Sequence, residues 1–194
     1  MLKTKIIASS ITNLTDARYF SAWGVEAMGF DLNANSPNFI GPMQINALKD
    51  WISGPQIIGE FSGLQTKEEI DNLILTLELD AIQLGPFAPE NWSFDLPIYM
   101  ELNLESLPNL KEGITYILKS EKPQYSVLDN IRQLKTLTSR YPCYLDLPLM
   151  AKDYLSAISE LKPEGFILRG GEEEKVGFKS YDEVDEIMET IEED

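Results

Sequence analysis

Histidine is absent from this 194-residue sequence. Its absence removes the side chain that most often moves protons near neutral pH and most often binds metal. Proton transfer would therefore fall to Asp, Glu, Lys, Tyr or a thiol. There is one thiol, Cys143, which excludes an intramolecular disulfide. In Pro142-Cys143-Tyr144 it opens a strand-like stretch and reads as an inert core residue. Basic residues are scarce: 16 Lys and Arg against 32 Asp and Glu give a net charge of −16. Nucleic acid would be repelled, and no basic patch offsets this, so it is excluded as a partner. Long apolar runs are missing too. None approaches the roughly 18 residues of a membrane span. Met1-Leu2-Lys3-Thr4-Lys5 runs straight into a strand-like stretch, without a signal-peptide apolar region. These features predict a cytoplasmic protein with no membrane partner.

What is present fits one domain over 1–194. Apolar content of 43% and charged content of 25% are ordinary for a globular chain, and the length allows a sizeable core. Residues 4–8, 27–32, 56–61, 80–84, 97–102, 114–119, 143–147 and 166–168 read as short apolar strands. Helical stretches alternate with them. The first carries the stripe Leu14, Ala17, Phe20 and Trp23, is capped by Thr12 or Asn13, and is stopped by Gly24. Thr66 and Glu69 form a capping box ahead of the third. The fourth is weak, about two turns over 88–94, and the fifth is replaced by a loop containing Pro108. Clear helical patterns return at 127–139, 151–161 and 180–191. Near-continuously apolar strands are what a parallel sheet covered by helices requires. Eight units in 194 residues sit at the short end for a (β/α)8 barrel, near the ~200-residue lower bound. A doubly wound sheet would need fewer strands and a glycine-rich turn after strand one, where Ser9-Ser10-Ile11 stands instead. The expected fold is α/β, a single small TIM barrel with helices after strands 4 and 5 short or missing.

With the barrel laid out, the residues resemble a known family. Residues 5–17, K-I-I-A-S-S-I-T-N-L-T-D-A, are similar to the K-I-C-G-I-T-N-x-x-D-A opening of phosphoribosylanthranilate isomerases. The likeness continues through Gly24-Val25-Glu26-Ala27-Met28-Gly29-Phe30 and Ser36-Pro37-Asn38-Phe39-Ile40. Asp80-Ala81-Ile82-Gln83-Leu84-Gly85 looks like the family's D-A-V-Q-L-H-G, and Gly177-Phe178-Lys179-Ser180 like its G-x-K-D. The resemblance implies an Amadori rearrangement in tryptophan biosynthesis, run by a general base and a general acid with no cofactor and no metal.

The departures from the pattern bear on activity. The family's cysteine base falls at Ser9 and its aspartate acid at Lys119. A serine without a neighbouring histidine is a poor substitute for a thiolate. A lysine donates a proton only if its pKa is lowered. The arginine that clamps the anthranilate carboxylate falls at Asn38. Leu147-Pro148 replaces the glycine pair of one phosphate loop, and proline offers no amide. Polar residues expected at the strand ends are Ser9, Ser10, Asp31, Asn33, Glu60, Ser62, Gln83, Glu101, Asn103, Lys119, Asp146 and Arg169. Glu60 and Glu101 interrupt apolar strands and need partners, for which Lys119 and Arg169 are the candidates. Gly170-Gly171 would present amides to a phosphate, although glutamates follow at once. Trp23 and Trp51 read as core packing, and Trp92 as a residue on the pocket rim.

Three functional readings follow. The first is a family-like barrel without competent isomerase chemistry, a pseudoenzyme that binds a small molecule, phosphorylated or not, or serves as a non-catalytic partner. The second is an isomerase or lyase on a phosphosugar-like substrate, with Lys119 and either Glu101 or Glu60 as its acid and base. The third is the family reaction itself. Monomer and homodimer are both compatible with the sequence.

Overall fold

The computed structural model describes residues 1–122, 126–170, 173–175 and 178–193. Eight strands, β1 (Lys5–Ser9), β2 (Ala27–Asp31), β3 (Gln56–Phe61), β4 (Ala81–Leu84), β5 (Ile98–Asn103), β6 (Thr115–Lys119), β7 (Cys143–Asp146) and β8 (Gly165–Arg169), run in sequence order around a closed parallel barrel. Closure pairs Lys5 with Gly165 at one end and Ser9 with Arg169 at the other. Six helices lie among them: α1 (Leu14–Trp23), α2 (Pro42–Lys49), α3 (Lys67–Leu77), α4 (Ile131–Thr138), α5 (Ala151–Leu161) and α6 (Asp182–Ile191). Among the described residues no helix is long and apolar enough to cross a membrane.

Local chemistry explains the helix ends. Asn13 Oδ1 accepts the Asp16 amide at 2.9 Å, satisfying one orphan donor of α1, and Gly24 closes the helix in a left-handed conformation at φ 68°. Thr66 and Glu69 exchange hydrogen bonds as a capping box. No helix follows β4 or β5. The two turns expected over 88–94 reduce to isolated turns closed by Gly85 and Pro89 carbonyls. Pro86, Pro89 and Pro97 withhold amides there, and Trp92 and Phe94 pack edge to face at 6.0 Å on the core in place of a helix. Trp92 is not among the residues that line the mouth pocket. Residues 127–130 form turns, so the helix expected from 127 begins at Ile131. A short antiparallel pair, β9 (Glu173–Lys175) and β10 (Phe178–Lys179), lies between β8 and α6, where a plain loop was expected.

The period of two along each strand divides the core. One cluster holds one residue per strand: Ile7, Ala27, Ile58, Ala81, Tyr99, Ile117, Tyr144 and Ile167. These fill the barrel interior as a dry floor. Alternate residues such as Ile6, Met28, Ile82, Leu118 and Phe166 join the larger cluster beneath the helices. Cys143 is in that cluster, 1% exposed, and burial pushes its thiol up to about 12. Trp23 packs against the core as expected, but Trp51 does not: it lies beyond the end of α2, is 58% exposed, and stacks under the Arg18 guanidinium at 4.9 Å.

Candidate functional site

Two residues beyond the dry floor, every strand except β2 carries a polar side chain. They are Ser9, Glu60, Gln83, Glu101, Lys119, Asp146 and Arg169, with Gly29 in the β2 position. The pleat points this layer inward at the C-terminal mouth. Neighbouring strands then bond in series. Gln83 Nε2 donates to Glu101 Oε1 at 2.8 Å, and Lys119 Nζ donates to the same oxygen at 3.1 Å. Lys119 also stands 3.7 Å from Asp146 Oδ2, and Arg169 grips Asp146 with two hydrogen bonds of 2.7 Å. The Asp146 contact holds the Arg169 guanidinium above its ordinary pKa. These pairs are not sealed from water: the Lys119 and Arg169 side chains are 36% and 45% exposed.

Glu60 is different. It is 5% exposed, and no salt bridge holds it among the described residues. Its carboxyl leans across β2 into the space that a side chain at Gly29 would occupy; a Cβ there would lie 1.9 Å from Oε1. Ser10 holds it from above, with N–H to Oε1 at 3.0 Å and the hydroxyl to Oε2 at 3.0 Å. Ser10 aims its amide this way from a left-handed backbone, φ 56°, a conformation costly for a side-chain-bearing residue and concentrated at functional sites. Burial raises the Glu60 pKa above the ordinary carboxyl range. The Ser9 and Ser10 hydroxyls, the Ser10 amide and the Arg169 charge pull the other way without cancelling it. Asp31 is also buried, its Oδ1 accepting from the Asn33 amide at 2.9 Å.

The mouth encloses a pocket of 390 Å3. Of the residues singled out in the sequence, Ser9, Ser10, Asp31, Asn33, Asn38, Glu60, Ser62, Gln83, Glu101, Lys119 and Arg169 line it together. Phe87, which carried no sequence signal, lines the same pocket and is 65% exposed. Ser10 was visible only as a strand-end residue; its left-handed turn was not. Asn103 is not among the lining residues. It turns to the rim, donating to Glu121 Oε1 at 2.8 Å and accepting the Glu105 amide at 2.8 Å.

Asp146 and Gly170 border a second cleft, of 760 Å3, between the ends of β7 and β8 and α6. Its cations Lys119, Lys122 and Arg169 are matched by Glu121, Asp146 and Glu183, and Pro148 lines it. Gly170 has no room for a side chain, because the buried Asp16 carboxylate lies 2.6 Å from where its Cβ would stand. Asp16 is held there by Asn13 Nδ2 at 2.7 Å and by the Tyr181 hydroxyl. Gly171 lies outside the described residues. Among the described residues no group of three His, Cys, Asp or Glu side chains is arranged to hold a metal ion.

No protein-family model matches the chain, and no curated protein matches it. Solved structures do. Phosphoribosyl anthranilate isomerase from Thermus thermophilus superposes with a TM-score of 0.79 at 22% identity, covering 96% of this chain and 98% of that one. The Thermotoga maritima enzyme gives 0.75 at 18%, covering 97% and 98%. A phosphoribosyl anthranilate isomerase in complex with reduced 1-(o-carboxyphenylamino)-1-deoxyribulose 5-phosphate gives 0.73 at 18%, again covering 97% and 98%. Over almost its whole length, this chain has the (β/α)8 fold of the phosphoribosylanthranilate isomerases.

Proposed function

We propose that this barrel is a diverged, cytoplasmic relative of the phosphoribosylanthranilate isomerases that binds a small polar molecule at its mouth and lacks the isomerase reaction. One observation carries the reading. The two strand ends at which the resemblance puts base and acid hold Ser9 and Lys119, and Lys119 is engaged between Glu101 and Asp146. Its amine is committed to those two carboxylates instead of standing unpaired as a catalytic acid would. Ser9 shares its hydroxyl with Ser10 at 3.3 Å and has no imidazole or thiolate to activate it. Loss of a single acid or base typically costs about 10²–10⁴-fold. Loss of both leaves little specific catalysis, although effects within one catalytic unit do not multiply fully.

The test is complementation of a strain lacking the isomerase, together with direct turnover of phosphoribosylanthranilate by the purified chain. No growth at normal expression and no turnover above background are expected. Growth would overturn the reading.

A second reading has its own observation. Glu60 is a buried carboxyl with a raised pKa, and it lines the same pocket as the Lys119 amine. Such a pair suits an isomerase or lyase: Glu60 would take a proton from carbon next to a carbonyl, and Lys119 would supply one to oxygen, with no redox change. Solvent deuterium entering a carbonyl substrate, lost in Glu60→Gln, would favour this reading over binding alone.

A further inference from the structure

We infer that the mouth pocket takes an uncharged, polyhydroxylated molecule of about monosaccharide size, and not a phosphorylated one. The inference rests on the reading that a small molecule occupies the mouth, and it adds the chemical class.

The charges facing the pocket are three carboxyls, Asp31, Glu60 and Glu101, and two cations, Lys119 and Arg169. Both cations already have carboxylate partners, at 3.1 Å and 2.7 Å. An anion entering here would have to displace one of those partners while facing the remaining acids. A cation would satisfy the acids but would face Lys119 and Arg169. A hydroxyl group meets neither objection, because it donates and accepts at once. It can bridge Lys119 or Arg169 to Asp31 or Glu60 without breaking a pair. The remaining polar lining, Ser9, Ser10, Asn33, Asn38, Ser62 and Gln83, has the same mixed character.

Two further observations agree. Phe87 lines the pocket and is 65% exposed, and an exposed aromatic ring is a surface on which the C–H face of a sugar ring packs. Among the described residues, the neighbouring cleft where the resemblance would put a phosphate offers little to hold one. Pro148 supplies no amide, Glu183 lines it, and the Asp16 carboxylate sits against Gly170. Glu183 on the cleft wall opposes a phosphate dianion.

The experiment is an amide-shift NMR titration of the full chain with D-ribose, D-glucose, myo-inositol, ribose 5-phosphate and inorganic phosphate. At least one neutral polyol is expected to shift the Ser10, Gly85 and Phe87 amides saturably, with ribose 5-phosphate binding no tighter than ribose. Phe87→Ala, an exposed change that leaves the fold intact, is expected to weaken the polyol about fivefold. Ribose 5-phosphate binding tenfold or more tighter than ribose would overturn the inference. So would saturable shifts at Leu149 and Gly170 with inorganic phosphate, or no mouth shift with any neutral polyol. Phosphoribosylanthranilate turnover measured on the same sample keeps the two ideas apart: turnover refutes the loss of isomerase chemistry, whereas a phosphate preference without turnover refutes only the ligand class.

Discussion

Gly29→Ala tests how the mouth is built. Gly29 lies in β2 with no left-handed requirement, so its backbone accepts an alanine. The added Cβ would stand 1.9 Å from Glu60 Oε1 and 2.8 Å from Cδ, so the carboxyl must withdraw. Withdrawal breaks both Ser10 hydrogen bonds. Bonds to a carboxyl contribute about 1–2 kcal/mol each, giving a loss of about 2–4 kcal/mol. For a domain of this size that lowers Tm by about 6–12 °C, measured by circular dichroism. The control is the same change in a Glu60→Ala background. With no carboxyl to displace, the clash is gone, and removing a glycine from the unfolded chain stabilises by about 0.4–1 kcal/mol. Gly29→Ala should therefore be neutral or stabilising there. An equal loss in both backgrounds, or no loss in the parent, would refute the account of Glu60.

Three further outcomes are expected. Glu60 has a pKa raised above its ordinary 4.5, so the folded state binds its proton more tightly than the unfolded state, and the group costs stability increasingly as pH rises from about 4.5 through its folded pKa. Melting curves of Glu60→Gln and the parent should diverge in favour of the variant over that window and run parallel below it; a constant difference from pH 4 to 8 would contradict the burial argument. Asp146→Asn strips the shared partner from Arg169 and Lys119, whose exposure moderates the cost; denaturant unfolding should show a loss of about 1–2 kcal/mol, below the figure for a fully buried pair. Cys143, 1% exposed with its thiol pushed up to about 12, should resist a disulfide reagent at pH 8 in the folded protein and react fully in denaturant.

Much of the scaffold was readable because its signals are local. Asn13, Gly24 and the Thr66–Glu69 box act on amides within one helical turn, and all three behave as read. The segment 88–94 read as a weak helix of about two turns, but a helix there also needed amides that Pro86 and Pro89 cannot supply. Trp51 looked like the end of an apolar stripe. Its exposure depends on where α2 stops, two residues earlier, which is set by packing. Phe87 carried no signal because its place at the mouth comes from the path of a helix-free loop.

The residue pattern alone determined that eight apolar strands alternate with helices, and that polar residues gather at the strand ends. Both follow from the period of two and from caps within reach of single side chains. Only the closed barrel decided which polar groups meet. Register across the ring places Arg169 beside Asp146, Asp146 beside Lys119, and Lys119 within reach of Glu101, each brought from a strand some 20 residues distant in the chain. The setting of Glu60 is of the same kind. It depends on a missing side chain on the neighbouring β2 and on a left-handed serine just past the end of β1, the strand beyond, brought together by strand pairing and not by adjacency in the chain.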